Sequence, residues 1–187
     1  GGNSNCGVYF PSGANCSMAN GTLAFTNVSG GGSSTSTSNS GVLITGATVF
    51  APSIIGTDLS GGPGLGSSAT NGNFGLYVAS AGILGNASTH ELSMTAASLG
   101  RGSYECGIAI DGSSQVIVGE GGAIALTGMG GGVYSATGAR NYGIFLNGAT
   151  FTSGNSGTFA NGVTLTGIGG TGSGGLHDGV NIGATLL

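Results

Sequence analysis

The chain has 187 residues, 44 of them Gly, with two basic residues against six acidic ones and a formal net charge of -4. So little charge leaves no basic patch of the kind that holds nucleic acid or an anionic bilayer, and no apolar run reaches the ~18 residues needed to cross a membrane. Collagen is excluded because Gly recurs without a Gly-X-Y period beside only three Pro, and long disorder because apolar residues make up 39% of the chain and recur in phase.

The first element in chain order is Asn5-Cys6-Gly7-Val8-Tyr9-Phe10, where Val8 and Phe10 alternate at period two and predict a short strand with one inward face. A looser apolar beat follows near Ala14, then Leu23-Ala24-Phe25-Thr26, then a Ser- and Gly-rich stretch over 29–40. The order returns as Asn39-Ser40-Gly41-Val42-Leu43-Ile44, Gly46-Ala47-Thr48-Val49 and a degraded third beat from Ile54 to Thr57. Next come Asn73-Phe74-Gly75-Leu76-Tyr77-Val78, a loose beat at Ala81, and Leu92-Ser93-Met94-Thr95. The fourth round reads Glu105-Cys106-Gly107-Ile108-Ala109-Ile110, Ser113, and Ile124-Ala125-Leu126-Thr127, closed by Gly128-Met129-Gly130-Gly131-Gly132. The fifth reads Asn141-Tyr142-Gly143-Ile144-Phe145-Leu146, Gly148-Ala149-Thr150-Phe151 and Val163-Thr164-Leu165-Thr166. The last is His177-Asp178-Gly179-Val180-Asn181-Ile182 with Gly183-Ala184-Thr185-Leu186.

The glycines of the leading motif, Gly7, Gly41, Gly75, Gly107, Gly143 and Gly179, are 34, 34, 32, 36 and 36 residues apart. A period in that range marks a repeat array. Helical repeats of similar length need helix formers, whereas these are rich in Gly, Thr, Ser and Val. The chain is therefore expected to be all-β: one parallel β-solenoid domain over 1–187, about 5.5 coils of about 34 residues, three short strands per coil and Gly-rich loops. Each coil orders many residues around few inward side chains, so coils must stabilise one another.

Stacking turns each repeat position into a column about 4.8 Å per step. Asn5, Asn39, Asn73 and Asn141, continued by Glu105 and His177, are expected to form a side-chain ladder at one corner. The glycine two residues on is expected to supply a φ > 0 corner. Thr26, Thr57, Thr95, Thr127 and Thr166 predict a second ladder.

The recurring N-x-G-φ-x-φ, G-A-T-φ and φ-x-φ-T-G beats, where φ is an apolar residue, resemble the repeats of secreted bacterial β-strand-repeat proteins of the filamentous-haemagglutinin-like and autotransporter-passenger kind. The resemblance implies a β-helix, a place at the cell surface, and adhesion or scaffolding. It transfers no catalytic residue.

The residues themselves point to no enzyme. Asp58, Glu91, Glu105, Asp111, Glu120 and Asp178 fall at mostly different phases of the repeat, so no paired carboxylates are evident. The neighbours in His90-Glu91 and His177-Asp178 point to opposite faces of a strand and make no chelating pair. The Gly clusters lack the Lys and helix of a phosphate loop. No catalytic residue, cofactor or metal is expected. Of three cysteines, Cys6 and Cys16 are the local pair for a disulfide; the competing reading places Cys16 in the core as a small hydrophobe.

The outward residue of the first beat, Tyr9, Leu43, Tyr77, Ala109, Phe145 and Asn181, predicts an apolar stripe. Either the Gly-rich loops cover it or another subunit packs there. A start at Gly1 without Met reads as a processed or excised end. The last coil stops at Leu187 after its second beat, and neither end carries an evident cap. The composition suits an extracellular or cell-surface protein. The leading expectation is a structural subunit that polymerises with copies of itself, through uncapped ends and the stripe, into a filament or surface layer. An adhesin segment that contacts glycans or host surfaces, and an ice-binding solenoid built on the Thr ladder, are the alternatives.

Overall fold

A computed structural model describes residues 5–33, 35, 37–68, 70–131, 138–153 and 162–186 of the chain; Gly132 and Leu187, named above, lie outside them. These residues form fifteen strands and no helix. Parallel pairing winds them into a β-solenoid of about five turns with roughly 34-residue spacing.

Three faces result. The first carries β1 (Val8–Phe10), β4 (Val42–Thr45), β7 (Leu76–Ala79), β10 (Ile108–Asp111) and the start of β13 (Ile144–Ser153). The second carries β2 (Asn15–Ser17), β5 (Thr48–Phe50), β8 (Ile83–Gly85), β11 (Gln115–Val118) and the end of β13. β15 (Val180–Leu186) pairs along both halves of β13. The third face is a separate sheet of β3 (Thr22–Thr26), β6 (Ser53–Gly61), β9 (Glu91–Ser98), β12 (Ala123–Met129) and β14 (Val163–Ile168).

Registers follow the repeat residue for residue. Val8, Val42, Leu76, Ile108, Ile144 and Val180 stack in one column, and Leu23, Ile54, Leu92, Ile124 and Val163 in another. A single apolar core fills the centre, with Val42, Leu76, Ile108, Ile144, Val49, Leu84, Val116 and Phe151 fully excluded from solvent. Alternation is the cause: every second residue of each strand points to the axis, and one-residue slippage would expose the whole set.

Two local features depart from the sequence expectation. The degraded third beat is a nine-residue strand, β6, rescued by a bulge. Gly56 leaves a gap in the core column of Phe25 and Met94; the pairing shifts between Gly56 and Leu59, Asp58 takes φ 54°, and Leu59 is carried inward to fill the gap. The Thr ladder is therefore two segments, Thr26 on Thr57 and Thr95 on Thr127 on Thr166, with the bulge between them.

The corner glycines are the second departure. None of Gly7, Gly41, Gly75, Gly107, Gly143 or Gly179 has a positive φ. They are needed because the first face starts hard against the end of the third: a Cβ on Gly41 would stand 2.6 Å from Gly75 O and 2.9 Å from both Ser60 O and Val28 O. The left-handed positions lie elsewhere. One set turns the first face into the second, at Gly46, Ser80 and Ala81, Gly112 and Ser113, and Gly148. A second set stands one residue before the corner, at Ser38, Tyr104, Arg140 and Leu176, and further ones lie at single positions such as Asp58 and Gly121.

Candidate functional site

The corner ladder is a continuous run of side-chain hydrogen bonds, buried over most of its length. Asn5 Nδ2 donates to Asn39 Oδ1 at 2.9 Å, and Asn39 Nδ2 to Asn73 Oδ1 at 2.8 Å. Asn73 Oδ1 takes a backbone donor too, Asn39 N at 3.1 Å. Asn39, Asn73, Glu105 and Asn141 are all fully buried, so these bonds satisfy groups that would otherwise destabilise the fold.

Glu105 replaces the amide at the fourth rung. Its Oε1 accepts from Gly66 N at 2.6 Å, Gly102 N at 2.9 Å and Asn73 Nδ2 at 2.9 Å. Its Oε2 accepts from Asn73 Nδ2 at 2.8 Å, Asn73 N at 3.0 Å and Ser98 Oγ at 3.3 Å. One carboxylate thus ties the closing loops of two coils to the corner. Burial pushes its pKa up, against the donors from Asn73, Gly66 and Gly102 that favour the ionised form.

Above Glu105, Asn141 Oδ1 accepts from Glu105 N at 3.1 Å. The expected continuation to His177 does not follow, since Asn141 Nδ2 turns to Thr171 O at 3.3 Å. Among the described residues the buried ring nitrogens of His177 have no hydrogen-bond partner. An imidazole cannot reproduce the paired donor and acceptor of an amide rung.

The outward stripe is largely covered by the chain itself. Phe74, Tyr77, Ala79, Cys106, Ala109 and Tyr142 form a second buried cluster outside the first face, with Leu43 and Phe145 packed against it. Phe74 lies 4.4 Å from Tyr77 between ring centroids, Tyr142 stacks on Phe145 at 5.1 Å, and Tyr104 from a closing loop meets Phe145 edge-on at 6.4 Å. Tyr77 is 7% exposed; Tyr9, in the first coil, is 54% exposed. Of the two readings of the stripe, cover by the chain's own side chains holds over its middle. Tyr9 and the partly exposed Leu43 of the next coil are left uncovered by it.

In the same cluster Tyr77 Oη donates to Asp111 Oδ2 at 2.9 Å. Burial raises the pKa of both groups, and the adjacent Asp111 carboxylate adds to the rise at Tyr77. Burial also pushes the Cys106 thiol up to about 12. Tyr77 and Cys106 are packed in the outer cluster, and Asp111 is tied to it through Tyr77.

The three cysteines are free thiols. Cys16 stacks in the core column with Val49 on the second face, while Cys6 stands at the corner, one residue before Gly7. The core reading of Cys16 is the one seen, and the bridge to Cys6 is absent. Asp111 faces Tyr77, whereas Glu120 is exposed beyond the far end of β11, so the two do not converge. Among the described residues no three His, Cys, Asp or Glu side chains gather as a metal site would require.

Sequence reasoning placed the ladder and the stripe but missed the outer cluster. Its signal was present in the middle coils: the residues before Gly75, Gly107 and Gly143 are Phe74, Cys106 and Tyr142, apolar where a solvated corner would be polar. The loop donors Gly66 and Gly102 carried no signal, because a backbone N–H has no sequence signature. Comparison with known protein families, curated proteins and solved structures returned no match.

Proposed function

We propose that the chain is a structural subunit, a rigid rod at the cell surface or outside the cell that lengthens by stacking coil on coil with further copies of itself. One observation supports this reading: the coils repeat in register, each burying its apolar residues against the next around one continuous core, so the rod is built from units that stack on their like. Val42, Leu76, Ile108 and Ile144 are fully buried, while Val8 and Val180, in the same column, are only half-buried, and Ile182 is 54% exposed. Among the described residues, β1, β2 and β3 at one end, and β14 and β15 at the other, each have one edge without a paired strand. A further coil, of a longer chain or of another copy, would cover apolar cross-section and backbone donors together, and the low charge opposes such stacking little.

The reading assigns no reaction to the chain. Negative-stain electron microscopy and sedimentation of the purified protein test it. Filaments one solenoid wide are expected, and Ile182→Asp, which sets a charge on an end surface, is expected to shorten or abolish them. A protein that stays monomeric at high concentration, with nothing filamentous formed, overturns the polymer.

A further inference from the structure

The aromatic cover of the first face is incomplete. Between β4 and β7 the outer wall opens into a recess of about 260 Å³. Leu43, partly exposed, is the open part of its floor, with the rings of Tyr77 and Phe74, 7% and 1% exposed, set behind it; Thr45, Asn71 and Ser80 line it with them. Ser38 Oγ fastens one edge, reaching Thr70 O and Asn71 Oδ1 at 3.3 Å each. The Tyr77 ring is fixed in turn by its bond to Asp111 and by packing on Phe74.

The lining combines an apolar, partly aromatic floor with hydroxyl and amide groups, and it contains no charged side chain. An ionic ligand would give up hydration there without a counter-charge, and a hydrocarbon would strip water from the rim without replacing its hydrogen bonds. A ligand with one apolar face and a ring of neutral hydroxyls satisfies both parts. We infer that the recess is a binding subsite for a neutral sugar residue. It uses a side wall of the solenoid and not its ends, so it is independent of the polymer reading.

Titration of the 15N-labelled full chain, followed by amide shifts, tests the site, with cellotetraose and methyl β-D-galactopyranoside as neutral probes and 3′-sialyllactose as the anionic one. The amides of Leu43, Thr45, Asn71 and Ser80 are expected to shift with a neutral sugar at a Kd of about 1–10 mM, the range open to a ligand of about a dozen heavy atoms. Asn71→Ala, at an exposed loop position, is expected to weaken binding about threefold or more. Thr45→Gln, whose longer side chain occupies the recess, is expected to abolish it. No response of these amides to either neutral sugar in the folded chain overturns the site. So do equal shifts in Thr45→Gln, an equal response to the anionic sugar, or shifts that follow protein concentration instead of sugar.

Discussion

Replacing Gly41 by Ala separates two reasons for a glycine at the corner. Its φ is not positive, so an alanine there meets no backbone penalty. Its Cβ, however, would lie 2.6 to 2.9 Å from three carbonyl oxygens, of Gly75, Ser60 and Val28, where ordinary contact begins at 3.4 Å. The displacement needed is roughly half an ångström or more at atoms that belong to three backbone segments, and none can move without disturbing a ladder bond. Overpacking commonly costs about 1–3 kcal/mol, and rigid neighbours on every side place Gly41→Ala at about 3 kcal/mol. For a chain of this size that lowers the melting midpoint by about 6–12 °C. Two controls accompany it. Gly121 has φ +74° and nothing within 4 Å of a Cβ, so Gly121→Ala measures left-handed strain alone, about 1–2 kcal/mol. Gly175 has open space and no positive φ, and Gly175→Ala should be neutral or gain up to ~1 kcal/mol. Circular dichroism melts of the three variants decide the matter. If Gly41→Ala melts no lower than Gly121→Ala, close approach is not what the corner glycine serves.

Glu105→Leu removes the acceptor of Gly66 N, Gly102 N and Asn73 N at once and leaves them buried; a loss of about 3 kcal/mol or more is expected in chemical denaturation, and an unchanged midpoint would show that water replaces the carboxylate. The pH dependence has a definite sign. Burial raises the pKa of Glu105 and Asp111 in the folded chain, so the stability they contribute is fully present below their unfolded values and is lost as pH rises through the folded ones. The urea midpoint should therefore rise on acidification from pH 7 toward about pH 4–5, and a fall would contradict it. Leu126→Ala, at a 1% exposed core position, should cost about 2–5 kcal/mol, read from the same denaturation curves; a loss under about 1 kcal/mol would mean the core collapses around the gap.

The coil itself was legible because period-two alternation and a fixed spacing are direct consequences of stacking. Val42 and Ile44 declare an inward face, and the same pattern one repeat later declares the neighbour it lies on. The Asn ladder was legible for the same reason, since Asn5, Asn39, Asn73 and Asn141 share a phase. What stayed hidden depends on distances between segments remote in sequence. The role of Gly41 is set by carbonyls of Val28, Ser60 and Gly75, and no local pattern separates a glycine excluded by neighbours from one that turns the chain. The degraded beat from Ile54 to Thr57 gave no sign of the bulge at Asp58, which sets Leu59 beside Gly56 in the gap between Phe25 and Met94. The recess between β4 and β7 depends on which loop side chains cover which stretch of the stripe, and loop paths are not written in periodicity.

The ladder also explains how near-identical coils keep their order. Its amide bonds run in one direction, each Nδ2 donating to the next rung, until Glu105, which only accepts. A slip of one coil would align the apolar columns almost as well, since Val42, Leu76 and Ile108 are interchangeable in kind. It would also move Glu105 away from Gly66 and Gly102 and set an amide, half of it a donor, against those buried N–H groups. The cost falls on the slipped register alone, so one carboxylate among repeated amides serves as a register mark. Variation between coils is thus concentrated at the closing loops and the corner they bind. There the solenoid stops being periodic, and there a mixed polar and apolar recess of the side wall is found.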